Sequence, residues 1–248
     1  GIPLGKVVDV VSKINTGAKY DSKAFQKSVG LNGVGTKAVN ALSNYFKVTA
    51  VREGKEKTAE FERGVLIKEH KEAKTGEENG TLVTFIPDEQ VFKNYKYHSE
   101  FLENQIWNYC FLNAGLKIVF NGKSFVSKNG LFDLLQRRTN EDEIRYPIIH
   151  LKGNDMEIAL SHTNDYGEDI YSFVNGQHTT QGGTHHQAFR EMYVKTIREF
   201  YKKDYDASDI RTGIVAAVSV RVVEPVFESQ TKTKLGSVNV DIKGPSMR

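Results

Sequence analysis

Residues 213–223 read Gly-Ile-Val-Ala-Ala-Val-Ser-Val-Arg-Val-Val, a nearly unbroken apolar run rich in β-branched side chains. A run of this length and composition describes a buried central strand. A central strand needs partners, and residues 156–162 and 170–174 supply strand patterns ahead of it. Between these and the run lies a helical pattern from Ala188 to Lys203, with Phe189, Met192, Tyr193, Ile197 and Phe200 at helical spacing. Its polar positions include Arg190, Lys195, Arg198, Lys202 and Lys203. They describe a solvated basic face, with a DNA-facing surface as the competing reading.

The first half has a different rhythm. Tyr45 to Val51 and Thr58 to Leu66 read as strands of a hairpin around the polar turn Arg52-Glu53-Gly54-Lys55. Lys68 to Asn79 reads as a charged surface loop, and Gly80 to Ile86 as a strand stopped by Pro87-Asp88. Ser99 to Asn113 places Phe101, Leu102, Gln105, Ile106, Tyr109 and Leu112 on a helical period. Leu116 to Phe120 reads as a strand closed by the hairpin signal Asn121-Gly122, and Leu131 to Arg137 as a short helix. The expected fold class is α+β, a mostly antiparallel sheet with helices over residues 1–128 followed by a second domain over 129–248.

Gly30-Leu31-Asn32-Gly33-Val34-Gly35 runs directly into the helical pattern Lys37 to Ser43. Glycines permit left-handed dihedrals and close approach of a ligand to the main chain, and a helix start offers free N–H groups. The ligand these features suit is an anion, a nucleotide polyphosphate first of all. A P-loop does not fit, because Thr36-Lys37 stands in the reverse order and the run Asp21 to Ser28 before it is polar. A dinucleotide fingerprint can be forced onto Gly33, Gly35 and Ala38 with Glu53 as the later acid, but it too lacks an upstream strand. The bland alternative is a plain loop whose glycines serve a turn. A second loop, Ser229-Gln230-Thr231-Lys232-Thr233-Lys234-Leu235, follows the buried strand through Glu224-Pro225. Its lysines and glutamine suit a terminal phosphate, and equally a solvated basic loop.

At 248 residues the chain can hold two modest domains, and 39% hydrophobic with 26% charged residues is ordinary for a soluble protein. No apolar run approaches the roughly 20 residues of a membrane span. A net charge of +3 does not argue for nucleic acid by itself. The single Cys110, in Tyr109-Cys110-Phe111-Leu112, excludes an internal disulfide, suits a reducing cytoplasm and is expected in the core. His162, His178, His185 and His186 lack metal-ligand spacing, and Asp204, Asp206 and Asp209 lack the glycine and glutamate of a calcium loop. No metal site is expected.

The segments together resemble the ATPase subunit of type II DNA topoisomerases, the B subunit of DNA gyrase and its topoisomerase IV counterpart. The family's lid motif GLHGVG followed by VNALS is matched by Gly30 to Gly35, reading GLNGVG, and by Val39 to Ser43. Gly80-Thr81 resembles the Gly-Thr near the adenine, Gly182-Gly183-Thr184-His185 the transducer's GGTH, and Ser229 to Leu235 the SQTKDKL loop. The resemblance implies a partial ATPase sandwich of the GHKL type followed by an α/β transducer domain. It implies that ATP lies against the backbone of Gly30, Leu31, Asn32, Gly33, Val34 and Gly35, with Thr81 at the adenine and Lys19 as a lid lysine. Gln230 and Lys232 would reach the terminal phosphate.

Its further implications are coupling of ATP binding and hydrolysis to DNA strand passage, with double-stranded DNA, the DNA-cleaving A-type subunit and a second copy at the ATPase gate as partners. One departure stands out. The family's general base, its magnesium-holding asparagine and its adenine aspartate all precede a Gly-Ile-Pro, and this sequence begins at Gly1-Ile2-Pro3. The expectation is a fragment that does not hydrolyse ATP alone, magnesium being held in the complete subunit. The competing readings are a non-catalytic clamp or DNA-contacting module, and an ATPase of the mismatch-repair or chaperone type, against which Ser229 to Leu235 argues.

Overall fold

The computed structural model describes residues 2–16, 27, 30, 33–240 and 246. The chain divides into two compact units at Tyr97–His98, with Lys27 clustering with the second. Residues 98–128, expected with the first part, therefore cluster with the second.

In the first unit, α1 (Val7–Ser12) and α2 (Gly35–Ala41) accompany a sheet of β1 (Ser43–Arg52), β2 (Lys55–Glu62), β3 (Val65–Glu69), β4 (Ala73–Lys74) and β5 (Gly80–Pro87). The strand order is β3-β2-β1-β5, with β4 also on β2. Strand alternation decides which face is covered. Phe46, Val48 and Ala50 of β1 meet Ala59 and Phe61 of β2 on one face, fully buried with Val7 and Val11 of α1. Phe46 and Phe61 are direct cross-strand partners in edge-to-face contact, ring centroids 6.1 Å apart. On the opposite face the Thr49 and Thr58 hydroxyls lie 2.7 Å apart and the Tyr45 hydroxyl donates to Glu60.

The expected strand Thr58 to Leu66 is two strands. Arg63 and Gly64 both take positive φ, 49° and 81°, and fold the chain back between β2 and β3. The expected loop Lys68 to Asn79 likewise contains the end of β3 and all of β4.

The second unit contains α3 (Ser99–Leu112), the hairpin β6 (Lys117–Phe120) and β7 (Lys123–Val126), and α4 (Leu131–Arg138). Its sheet comprises β8 (Ile149–Lys152), β9 (Met156–His162), β10 (Asp169–Val174), β11 (Gln177–His178) and β12 (Ile214–Val220), with α5 (Thr184–Tyr201) and α6 (Ala207–Arg211) between the last two strands. The strand order is β11-β10-β12-β9-β8, so β12 is the middle strand. Only β10 and β12 pair in parallel, the crossover between them carrying α5, and the remaining pairs of this sheet are antiparallel. Val215 and Ala217 of β12 face Leu131, Leu134 and Leu135 of α4. Ile214, Ala216, Val218 and Val220 face the other way, into the cluster containing Phe189 of α5. Both faces of β12 are covered, which is why its sequence is apolar at nearly every position.

Two helical stripes differ from expectation. On α3 the buried residues are Cys110 and Phe111, with Trp107 stacked on Phe111, whereas Phe101 is 70% exposed. On α5, which begins at Thr184 rather than Ala188, Phe200 is 77% exposed and Val194 is buried. Burial pushes the Cys110 thiol pKa up, consistent with a packing role.

Candidate functional site

The residues singled out for nucleotide contact fall into two groups. Gly30, Gly33, Val34, Gly35 and Thr81 lie in the first unit, and Gln230 and Lys232 in the second. Lys19, Leu31 and Asn32 lie outside the described residues.

In the first unit the glycine loop leads into α2 at Gly35, as its sequence predicts. Gly33 is left-handed at φ 58°, and a Cβ there would sit 3.3 Å from Lys37 Nζ and 3.4 Å from the Thr16 carbonyl. Those two groups brace the loop: Lys37 Nζ donates to Thr16 O at 3.1 Å, and burial draws the Lys37 pKa down. Gly30 and Gly35 differ. No described atom lies within 4 Å of a Cβ at either, and Gly35 does not have positive φ, so the described chain itself does not require glycine at position 35. Asn40 Nδ2 donates to Val11 O at 3.0 Å and fastens α2 to α1. At the far end of α2, Asp88 N donates to Leu42 O and Arg63 N to Ser43 O, while Arg63 Nε donates to Asp88 Oδ2 at 2.5 Å. The Arg63 guanidinium, with the Gln90 N–H, holds the Asp88 carboxyl below the usual carboxylate range. Thr81 is exposed on β5, opposite Ala50 of β1.

In the second unit the structure joins two motifs that are distant in sequence. Residues 226–237 double back on themselves. Glu228 N donates to Lys234 O, Gly236 N to Val226 O, and Lys234 Nζ lies 2.9 Å from Glu228 Oε1. Lys232 sits at the tip with φ 57°, its N–H donating to Ser229 O at 3.0 Å. Alongside runs the turn that opens α5. Gln181 N donates to Thr233 O at 2.9 Å, Leu235 N to Gly182 O at 3.1 Å, and Thr184 N to Leu235 O at 3.1 Å. Gly183 is the point of closest approach. At φ 130° its Cα faces the Leu235 backbone, where a Cβ would lie 2.4 Å from the carbonyl oxygen.

His185, the next residue but one, is buried beneath this junction. Its Nε2 lies 3.2 Å from Thr179 Oγ1, and the Thr179 hydroxyl donates to Ser172 O. Among the described residues Nδ1 is buried without a partner. Burial, reinforced by the neighbouring His186, lowers the pKa of His185 to about 4.

The remaining tempting residues have structural partners. Asp206 caps α6, accepting from Ser208 N at 2.7 Å. Arg190 makes a bidentate pair with Glu168, which Arg211 also joins, and Arg198 donates twice to Tyr205 O. The basic positions of α5 are thus partly engaged within the chain. Glu168 is held below the usual carboxylate range by Arg190 first, with Arg211 adding to it. A cavity of about 910 Å³ lined by Ile149, Leu151, Met156, Met192 and Ile197 contains none of the nucleotide candidates and is predominantly apolar. Among the described residues no helix is long and apolar enough to cross a membrane.

The helix-flanked, mainly antiparallel sheets define an α+β fold shared with the ATPase regions of type II topoisomerases. The ATPase region of Saccharomyces cerevisiae topoisomerase II aligns with 99% of this chain and 65% of its own at a TM-score of 0.76 and 22% identity, a likeness of fold. The 43K ATPase domain of Thermus thermophilus gyrase B aligns with 83% of this chain and 61% of its own at 0.67 and 29% identity. The family described as DNA gyrase B matches residues 123–244. The B subunit of DNA topoisomerase 4 from Borreliella burgdorferi is 50% identical over 244 residues, covering 98% of this chain and 40% of the relative. The B subunit of DNA gyrase from Thermotoga maritima is 34% identical over 257 residues, covering 93% of this chain and 40% of the relative. The chain belongs to the family of type II DNA topoisomerase B subunits, and spans about 40% of the length of these two curated relatives.

Proposed function

We propose that this chain is the nucleotide-responsive part of a type II topoisomerase B subunit, made of the ATP lid with its supporting sheet and the transducer that senses the terminal phosphate. The observation that carries the reading is the junction of residues 181–184 with residues 229–235, which gives the Gln230 and Lys232 loop a rigid seat on a helix-backed sheet. Gly35, a glycine that the described chain does not itself demand, fits close approach of a phosphate to the main chain. In this reading residues 1–128 are the ATPase part, including the lid, and residues 129–248 the transducer.

ATP with magnesium supplies the charged terminal phosphate in the complete subunit. This chain contributes the backbone of Gly30 to Gly35, Thr81, Lys19 of the lid, and the side chains of Gln230 and Lys232. Lys232 favours the state before cleavage, because its charge loses its partner when the terminal phosphate leaves. Domain movement is thereby linked to hydrolysis and to passage of double-stranded DNA, with the A-type subunit and a second copy of the ATPase subunit as partners and the cytoplasm as the place of action. The 248 residues taken alone are expected to turn over no ATP.

Calorimetry with a non-hydrolysable ATP analogue and magnesium tests the assignment, on this chain and on the complete subunit. Losing a hydrogen bond to a charged group costs about 1.5–3 kcal/mol, so Lys232→Ala is expected to weaken binding in the complete subunit roughly tenfold to a hundredfold. Unchanged affinity in that variant would remove Lys232 from the site. Equal affinity in the short chain and the complete subunit would show that the nucleotide site is wrongly placed.

A further inference from the structure

We infer that residues 181–184 are the seat that registers the Gln230 and Lys232 loop, with Thr184 as its positioning residue. The tip of that loop is closed locally, by the Lys232 N–H on Ser229 O and by the contact of the Ser229 and Thr231 hydroxyls. Bonds to the turn that opens α5 lie on the 233–237 side. There Gln181 N reaches Thr233 O, the Thr233 hydroxyl lies 3.4 Å from Gln181 Oε1, and Leu235 N reaches Gly182 O.

Thr184 acts at two points of the same segment. Its N–H donates to Leu235 O, and its hydroxyl donates to Ser237 O. Ser237 in turn locks the other limb of the loop, since its Oγ accepts from Val226 N at 2.8 Å and its N–H donates to Val226 O. One threonine therefore ties both limbs, directly or through Ser237, to the first residue of α5. Because Thr184 opens that 18-residue helix, the loop cannot shift along α5 without breaking these bonds. A displacement of Lys232 is thus delivered to the helix that covers the Phe189 face of the β12 sheet.

The catalytic consequence rests on the nucleotide reading above, whereas the positioning itself does not. Two measurements separate them. In this chain, amide hydrogen exchange at Lys232 and Leu235 is expected to speed up roughly tenfold in Thr184→Val and to return toward the parent rate in Thr184→Ser, which keeps the hydroxyl. Unchanged exchange in Thr184→Val would overturn the seat. In the complete subunit, Thr184→Val is expected to lower kcat/KM for ATP by roughly tenfold, and to cause no further loss in a Lys232→Ala background, because both changes act through one side chain. A full additional loss in that background would show that Thr184 acts otherwise than through Lys232. If Lys232→Ala alone leaves ATP kinetics unchanged, the nucleotide reading fails while the exchange result still decides the seat.

Discussion

Gly183→Ala is expected to destabilise the second unit severely and to release residues 229–235 from it. Two costs combine at this position. An alanine at φ 130° is strained whatever the space, and its methyl carbon would stand 2.4 Å from the Leu235 oxygen and 2.5 Å from the Leu235 nitrogen. The obstruction is backbone, so no side-chain rotation relieves it. Strained dihedrals and overpacking each cost about 1–3 kcal/mol, for a combined loss of roughly 2–6 kcal/mol out of a typical 5–15. Urea denaturation of the chain reads this directly, and Gly167→Ala provides the control. Gly167 has no neighbour within 4 Å of a Cβ among the described residues and no positive φ, so its replacement is expected to stay within about 0.5 kcal/mol of the parent. Equal midpoints for the two variants would mean that the close approach of residues 183 and 235 does not exist in solution.

The second large effect is a loss of stability on mild acidification. His185 has its pKa lowered from 6.5 to about 4 by burial first and the neighbouring His186 second. Above pH 6.5 the ring is neutral in both folded and unfolded chains and contributes no pH dependence. Between about 6.5 and 4 the unfolded chain takes up a proton that the folded chain refuses, so stability falls as pH falls and the loss is complete below the folded pKa. At 1.36 kcal/mol per pH unit the total is about 3 kcal/mol.

The geometry supports the direction. Among the described residues Nδ1 is buried without a partner, so the charged ring, with both nitrogens protonated, would hold a buried N–H that no described group accepts. His178 and His186 are also shifted down, in both cases by burial first, and add in the same sense. Histidine ring NMR across this range, paired with urea midpoints, is the check. A His185 ring that titrates near 6.5 would show that it is open to solvent in the folded chain.

The partition between legible and illegible features follows from where each signal lies. The hairpin at Asn121-Gly122 was readable because both residues favour the left-handed region, and the structure has them at φ 48° and 79°. The equivalent turn at Arg63-Gly64 was not, since arginine carries no turn preference. It is held there by Asp88, a partner 25 residues away. The buried stripe of α3 departs from its apolar period for a related reason. Periodicity ranks apolar spacing, but only packing against Phe125 and the α4 layer selects Trp107 and Phe111 over Phe101 and Tyr109. α1, β4, β8, β11 and α6 are short or exposed, and gave no strong period to read.

At the candidate site the same division holds. The motifs themselves, Gly30 to Gly35, Gly182 to His185 and Ser229 to Leu235, stood out as residue patterns, and with them came the family. The roles of Gly183, Thr184 and His185 did not, because a glycine needed for a distant backbone, that of Leu235, looks the same in sequence as one needed for a turn. Sequence alone determined the β12 core strand, the hairpins with local turn chemistry and the family, all of which rest on neighbouring residues or on recognisable patterns. Tertiary structure decided that the Gly-Gly-Thr-His turn and the lysine loop are one assembly, that the α5 arginines are partly engaged within the chain, and that His185 stays neutral. Each of those depends on groups brought together only when the sheet forms, where distance, burial and hydrogen-bond geometry set the energy.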